Sequence, residues 1–338
     1  MAFASSQNLI RWYRTPLPRS ELAEFTKRSD IKGAAQSLGQ LALLAATGAV
    51  AWIAWDQAEA GGVGWGLVVA LVALHGTFWA FCVNAFHELV HHTVFRTRRL
   101  GTIFLYVFSF LDWMDPIAFR ASHMRHHRYT LHPPQDLEVT VPENLTIWKY
   151  LSFAIVDPAG LFNQVRSSVR KALRMSGDPW VETLIREEGP AMRDREQRNH
   201  LVLLFGHVSI VAVSVVFALP QVVVLITLVR FYCRWLQFLC NKTQHIGLPD
   251  KVPDFRICCR TFTLNPLIRF LYWNMNYHVE HHMYAAVPCY NLHRLHKRIR
   301  SDLPWCPRGL VATWLHIGRV LRRQQREPGY RYVAEVPA

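Results

Sequence analysis

The side chains best able to do chemistry in this sequence are its histidines, 17 in 338 residues. They concentrate in three runs: His87-Glu-Leu-Val-His91-His92, His123-Met-Arg-His126-His127 and His278-Val-Glu-His281-His282. A separate His245 closes Asn241-Lys-Thr-Gln-His245. On a helix, positions i, i+3 and i+4 share one face, so a His-x-x-His-His run aims three imidazoles at one place. Two such runs with His87, His91 and His245 give nine candidates, far more than a single zinc takes. Neutral imidazole suits iron, zinc and copper, and so many imidazoles with few carboxylates fit a pair of metal ions. Imidazoles that bind a metal need acceptors for their outer nitrogens. Glu88, Asp136, Glu138 and Glu280 stand beside the runs and can serve. His75, His200, His207, His293, His296 and His316 stand alone and read as ordinary polar side chains.

Two other chemistries use part of this pattern. His87-Glu88-Leu89-Val90-His91 is literally H-E-x-x-H, the zinc-protease signature with Glu as general base. That reading needs one further ligand and leaves at least six clustered histidines without a role. A protein that stores or senses metal would also cluster histidines, but it would need no fixed order of runs.

The elements that must position these residues are apolar. Hydrophobic residues make up 51% of the chain and charged residues 18%, against about 25% charged in soluble domains. Four segments, about 34–55, 63–86, 201–219 and 221–240, are long enough to cross a bilayer as helices. A fifth, 102–114, is too short to cross and reads as re-entrant or interfacial. Four crossings return the chain to one side before His87 and again before His245, so all the histidine segments share a face. The expected fold is an all-α integral membrane protein: four transmembrane helices plus a cytoplasmic helical cap, 87–199 and 241–338, within a single domain over 1–338. Arg230, Arg234, Gln237 and Asn241 fall at i, i+4, i+7 and i+11 of the fourth span. Charged residues at membrane depth usually face an interior or a cavity, so Arg230, Arg234 and Gln237 are expected to wall a substrate passage.

The net charge of +14 follows the membrane boundaries. Lys and Arg crowd residues 1–33, 96–198 and 242–331, while the connections at 56–62 and Pro220 hold none. By the positive-inside rule both termini and the histidine segments are cytoplasmic. This distribution is not that of a nucleic-acid-binding patch; no nucleic-acid partner is expected. The seven cysteines form no C-x-x-C pair and read as free thiols in a reducing compartment. Residues 1–30 hold no apolar run with a small-residue cleavage site, so no secretory leader is expected.

The three runs, HELVHH, HMRHH and NYHVEHH, in this order and spacing, resemble the histidine boxes of the membrane fatty acid desaturase and hydroxylase superfamily. NKTQH resembles the family's additional Asn-x-x-x-His ligand, and the third box is most similar to those of acyl-lipid and sphingolipid desaturases. The resemblance implies two iron ions that activate O₂ with electrons from a separate donor. It implies ligands at His87, His91, His123, His126, His127, His245, His278, His281 and His282, and Asn241 approaching through water. Family members differ on whether the second ligand of the first box lies four or five residues after the first, so His92 stays a candidate beside His91. No cytochrome b5 segment is seen, so the donor is expected to be a ferredoxin or a separate cytochrome b5 with its reductase. The implied reaction is desaturation of an acyl chain of a membrane lipid or fatty acyl substrate. Hydroxylases and ketolases share the same boxes. A bacterial inner membrane or the endoplasmic reticulum is the expected setting.

Overall fold

Ser29 starts the first long helix by accepting the Lys32 N–H, and thirty residues follow without a proline, α1 (Asp30–Glu59). A computed structural model describes residues 10–141, 145–175 and 177–337; the first nine residues of the stretch read for a leader lie outside these. Among the described residues the chain is helical, with isolated bridges and no named strand. A turn at Gly61–Gly64 reverses the chain into α2 (Trp65–Trp79), which continues almost directly into α3 (Cys82–Val90). Pro190 then opens α7 (Pro190–Val216), after α4 (Arg98–Leu111), α5 (Pro116–Tyr129) and α6 (Pro158–Ala172). Three helical stretches are long and apolar enough to cross a membrane: Arg19–Glu59, Trp65–Val90 and Pro190–Val216. They cover all of the expected span 34–55 and most of 63–86 and 201–219.

The expected fourth span is not one helix. Residues 220–241 break into one α-turn at Pro220–Val222, a π-helical turn at Val223–Thr227, a 3-10 turn at Val229–Phe231 and α8 (Trp235–Asn241). Its ends nevertheless lie far apart along α2. Gln221 Nε2 donates to Asp56 beside the α1–α2 turn at 3.0 Å, His75 Nε2 meets the Leu225 carbonyl at 3.0 Å, and Trp235 Nε1 donates to Thr77 at 3.1 Å. The broken segment therefore begins beside the α1–α2 turn and reaches the C-terminal end of α2. Its freed backbone groups find partners, as an apolar medium requires. Trp113 Nε1 donates to the Thr227 carbonyl, Tyr232 OH to that of Val224, and the Cys233 N–H to that of Ile155. Gly76 allows the close approach, since a Cβ there would stand 2.5 Å from Tyr232 Cε2.

This break corrects the register expected for Arg230, Arg234, Gln237 and Asn241, because a single helical face needs an unbroken helix. Arg230 instead pairs with buried Asp112, which follows α4. Arg234 lies over the Phe153 ring at 5.3 Å, and Gln237 is buried. The short apolar stretch 102–114 falls mostly on α4, which turns through 106° into α5. Asp115 caps that turn by accepting the Ile117 N–H, with Pro116 at the first helical position. The bend brings the second histidine run beneath α3. Phe86, Leu89, Phe108, Trp273, Val279 and Met283 pack in one core that holds α3, α4 and α9 (His278–Met283) together.

Candidate metal centre

Helical phase and the α4–α5 bend bring the histidine runs to one place. α3 supplies His87 and ends at His91; α5 supplies His123, His126 and His127; the turns after α8 supply His245; α9 supplies His278, His281 and His282. Their ligand-capable atoms form two groups. His87, His91, His123, His127 and His281 make one, and His245, His278 and His282 with Cys259 make the other; within each, the atoms lie within 4.8 Å of one another. His127 and His282 join the groups, with ring centroids 4.3 Å apart. His126 lies against the second group, 4.9 Å from His282 and 5.3 Å from His245 between centroids.

The ring nitrogens point in a consistent sense. Nε2 atoms face each other at 3.2 Å for His87 and His281, 3.1 Å for His91 and His123, and 3.0 Å for His123 and His127. In the second group His278 Nε2 lies 3.0 Å from that of His245 and 3.1 Å from that of His282. The Nδ1 atoms look outward: His123 to Glu138 at 2.6 Å, His126 to Asp136 at 2.8 Å, His245 to the Cys258 carbonyl at 2.9 Å, and His282 to Thr130 at 3.1 Å. His281 Nδ1 lies 3.2 Å from Glu88. If the outer nitrogens carry the protons, each inward Nε2 presents a lone pair, and neighbouring lone pairs repel unless a cation stands between them. The residues therefore fit a pair of metal ions.

The family model for fatty acid desaturase matches residues 63–312, from the second apolar helix past the third histidine run. The chain belongs to the fatty acid desaturase family. It is 28% identical over 231 residues to the human (Homo sapiens) sphingolipid delta(4)-desaturase/C4-monooxygenase DES2, a match covering 64% of this chain and 63% of that relative's length.

Electrostatics in this desaturase-family site favour uncharged imidazole at most of the rings; at His126 burial acts downward, but the hydrogen bond and charge of Asp136 leave it above the ordinary histidine value. Burial, reinforced by His126, pushes His245 down to about 3. Burial likewise holds His278, His281 and His282 well below the ordinary histidine value. A neutral ring is the form that binds metal. Burial pushes Glu138 up to about 7, against the pull of His126 and Ser122. For Asp136 burial acts upward, but the hydrogen bond with His126 and two backbone N–H donors leave it below its usual value.

Three of the four carboxylates singled out from sequence reach a clustered histidine; Glu280 does not. It is fully buried and engages Thr261 at 2.5 Å and His296 Nδ1. His92 takes a left-handed φ of 57° just past α3, and among the described residues it makes none of the ring contacts that link the others. Asn241 lines a cavity of about 540 Å³ with Asn84, His87, His123, Glu138 and His278; Arg230, Arg234 and Gln237 do not line it. Sequence reasoning missed Cys259, which carries no ligand spacing. Burial, with Cys258 beside it, pushes that thiol well above its ordinary value, which disfavours the thiolate that a metal would take.

Proposed function

We propose that this protein is an O₂-dependent desaturase acting on the acyl chain of a membrane lipid or fatty acyl substrate at a di-iron centre. The observation that carries it is the pair of convergent imidazole groups within a chain of the desaturase family. His87, His91, His123, His127 and His281 would hold one iron, and His245, His278 and His282 with His126 the other. Asn241 would approach through water. His92 is left out because it belongs to neither imidazole group. When bound, the irons would supply the oxidant for an unactivated C–H bond, using O₂ and two electrons.

The chain's own residues bind, orient and enclose. Glu88, Asp136 and Glu138 stand at outer ring nitrogens of His281, His126 and His123 and hold those rings in place. Glu280 holds α9 to Thr261 and His296. The cavity of about 540 Å³ gives the substrate a place beside His87, His123 and His278. Arg230, engaged by Asp112, is assigned to closing the broken crossing rather than to the substrate passage. The distribution of Lys and Arg supports a cytoplasmic face for the site; a helical cap, a single domain over the whole chain and a separate electron donor, ferredoxin or cytochrome b5 with its reductase, belong to the same proposal. Against the protease alternative, Glu88 is buried 3.2 Å from the Nδ1 of His281 and supports that ring.

Hydroxylation is the second reading, favoured by the name of the human relative, which couples desaturase with C4-monooxygenase. Mass spectrometry of lipids from cells with and without the protein tests both. A product lighter by about 2 mass units marks desaturation, and one heavier by about 16 marks hydroxylation. An unchanged lipid profile, with iron and a donor supplied, would refute both.

A further inference from the structure

Of the four histidines proposed for the second iron, His245 alone stands outside a helix. α8 ends at Asn241 and the chain continues through turns past His245, so no helical ladder fixes this ring. Residues 258–260 supply what the ladder does not. The Cys258 carbonyl lies 2.9 Å from His245 Nδ1, and the Arg260 N–H donates to the Gln244 carbonyl at 2.9 Å. The Arg260 guanidinium reaches across the turn. Its Nη1 donates to the Thr243 carbonyl, and Nη1 and Nη2 both donate to that of Ile246 at 3.1 Å. Arg260 thus engages the carbonyls of Thr243, Gln244 and Ile246, which flank His245 on both sides.

Arg260 is only 6% exposed, and a buried charge is costly unless it is paired. Among the described residues its guanidinium hydrogen-bonds to carbonyls alone, with no carboxylate. Carbonyls just past a helix C-terminus carry partial negative charge and suit a cation. Burial lowers the guanidinium to about 10, which leaves it charged at neutral pH. Its planar fork of donors can hold both carbonyls at once. The turn is closed from its other side as well. Gly247 takes a left-handed φ of 74°, and a Cβ there would stand 2.7 Å from Val320 Cγ1 on the helix Gly309–Arg326. The Tyr332 N–H donates to the Gly247 carbonyl at 2.9 Å.

We propose that Arg260 is a positioning residue for the second iron: its guanidinium sets the turn that aims His245 Nε2 at His278. This rests on the di-iron reading above and deepens it. The two Nε2 atoms lie 3.0 Å apart. A metal–ligand bond keeps its length to within about 0.2 Å, so a turn free to drift would lose this ligand. The first group does not depend on the clamp. His87, His123, His127 and His281 ride on α3, α5 and α9, and no hydrogen bond of Arg260 reaches them. The clamp therefore acts on one ion of the two.

The test follows iron retention in chelator competition, on the detergent-purified full chain loaded with Fe²⁺. Arg260→Met fills much of the same space but leaves the Thr243 and Ile246 carbonyls without their donor. One of the two irons should then be held about tenfold more weakly, while the other is held as in the unaltered protein. Arg260→Lys brings a point charge on a flexible stem in place of the fork, so it should weaken the same iron by less. That milder variant decides the matter if Arg260→Met does not fold. Equal weakening of both irons, or of neither, overturns the proposal. Iron is counted without turnover, which keeps two failures apart. Fewer than two irons in the unaltered protein would refute the di-iron reading, whereas two irons there with unchanged retention in the variants would refute the clamp alone.

Discussion

The two imidazole groups differ in what stands behind them. In the five-histidine group, carboxylates back two of the rings: Glu138 lies 2.6 Å from His123 Nδ1 and Glu88 3.2 Å from His281 Nδ1. In the three-histidine group the acceptors are uncharged: the Cys258 carbonyl for His245 and the Thr130 hydroxyl for His282. A carboxylate raises the basicity of the imidazole it holds and adds negative charge near a cation, whereas a carbonyl or hydroxyl mainly fixes orientation. Asp136 behind His126 brings one carboxylate to the second group from its edge. The groups thus differ in their support: burial pushes Glu138, behind the first, up to about 7, while the hydrogen bond with His126 keeps Asp136, at the edge of the second, below its usual value.

The largest effect comes from removing a ring from either group. His281→Ala and His278→Ala should each lower turnover at least about a thousandfold, since the imidazoles act as a unit. Metal analysis should then separate the groups, each variant losing about one of two irons. Retained turnover in His281→Ala would remove the first group from the chemistry.

A smaller effect tests the contrast itself. Glu138→Gln keeps a side chain at His123 but removes the charge, and should weaken iron binding by roughly 10- to 100-fold in chelator competition. Thr130→Val removes only an uncharged acceptor at His282, and its loss should be smaller. Equal losses would mean that the carboxylates do not set the difference between the groups.

The smallest effect is expected at His92. It belongs to neither imidazole group, so His92→Ala should keep both irons and most of the turnover. A loss of metal comparable with that of His91→Ala would return His92 to the site.

Much of this was legible before any coordinates. The i, i+3, i+4 spacing of His123, His126 and His127, and of His278, His281 and His282, follows from helical phase alone, and three apolar helices follow from length and hydropathy. His91 and His92 are adjacent, so spacing could not separate them; a left-handed backbone angle at the helix end does. The face expected along Arg230, Arg234 and Gln237 failed because hydropathy does not register a helix break. The partners that support that break, Asp112, Trp113 and Ile155, lie far away in sequence. His200 read as an isolated residue for the same reason: Asp115 meets it only in three dimensions.

Local periodicity, then, determined which residues share a helix face, because the backbone repeat is fixed by geometry common to all chains. Only the tertiary structure decided which faces meet, which carboxylate backs which ring, and where a crossing breaks. Those outcomes depend on contacts between residues tens to hundreds of positions apart, such as His123 with Glu138, His281 with Glu88 and His75 with Leu225. No repeat along the chain encodes them.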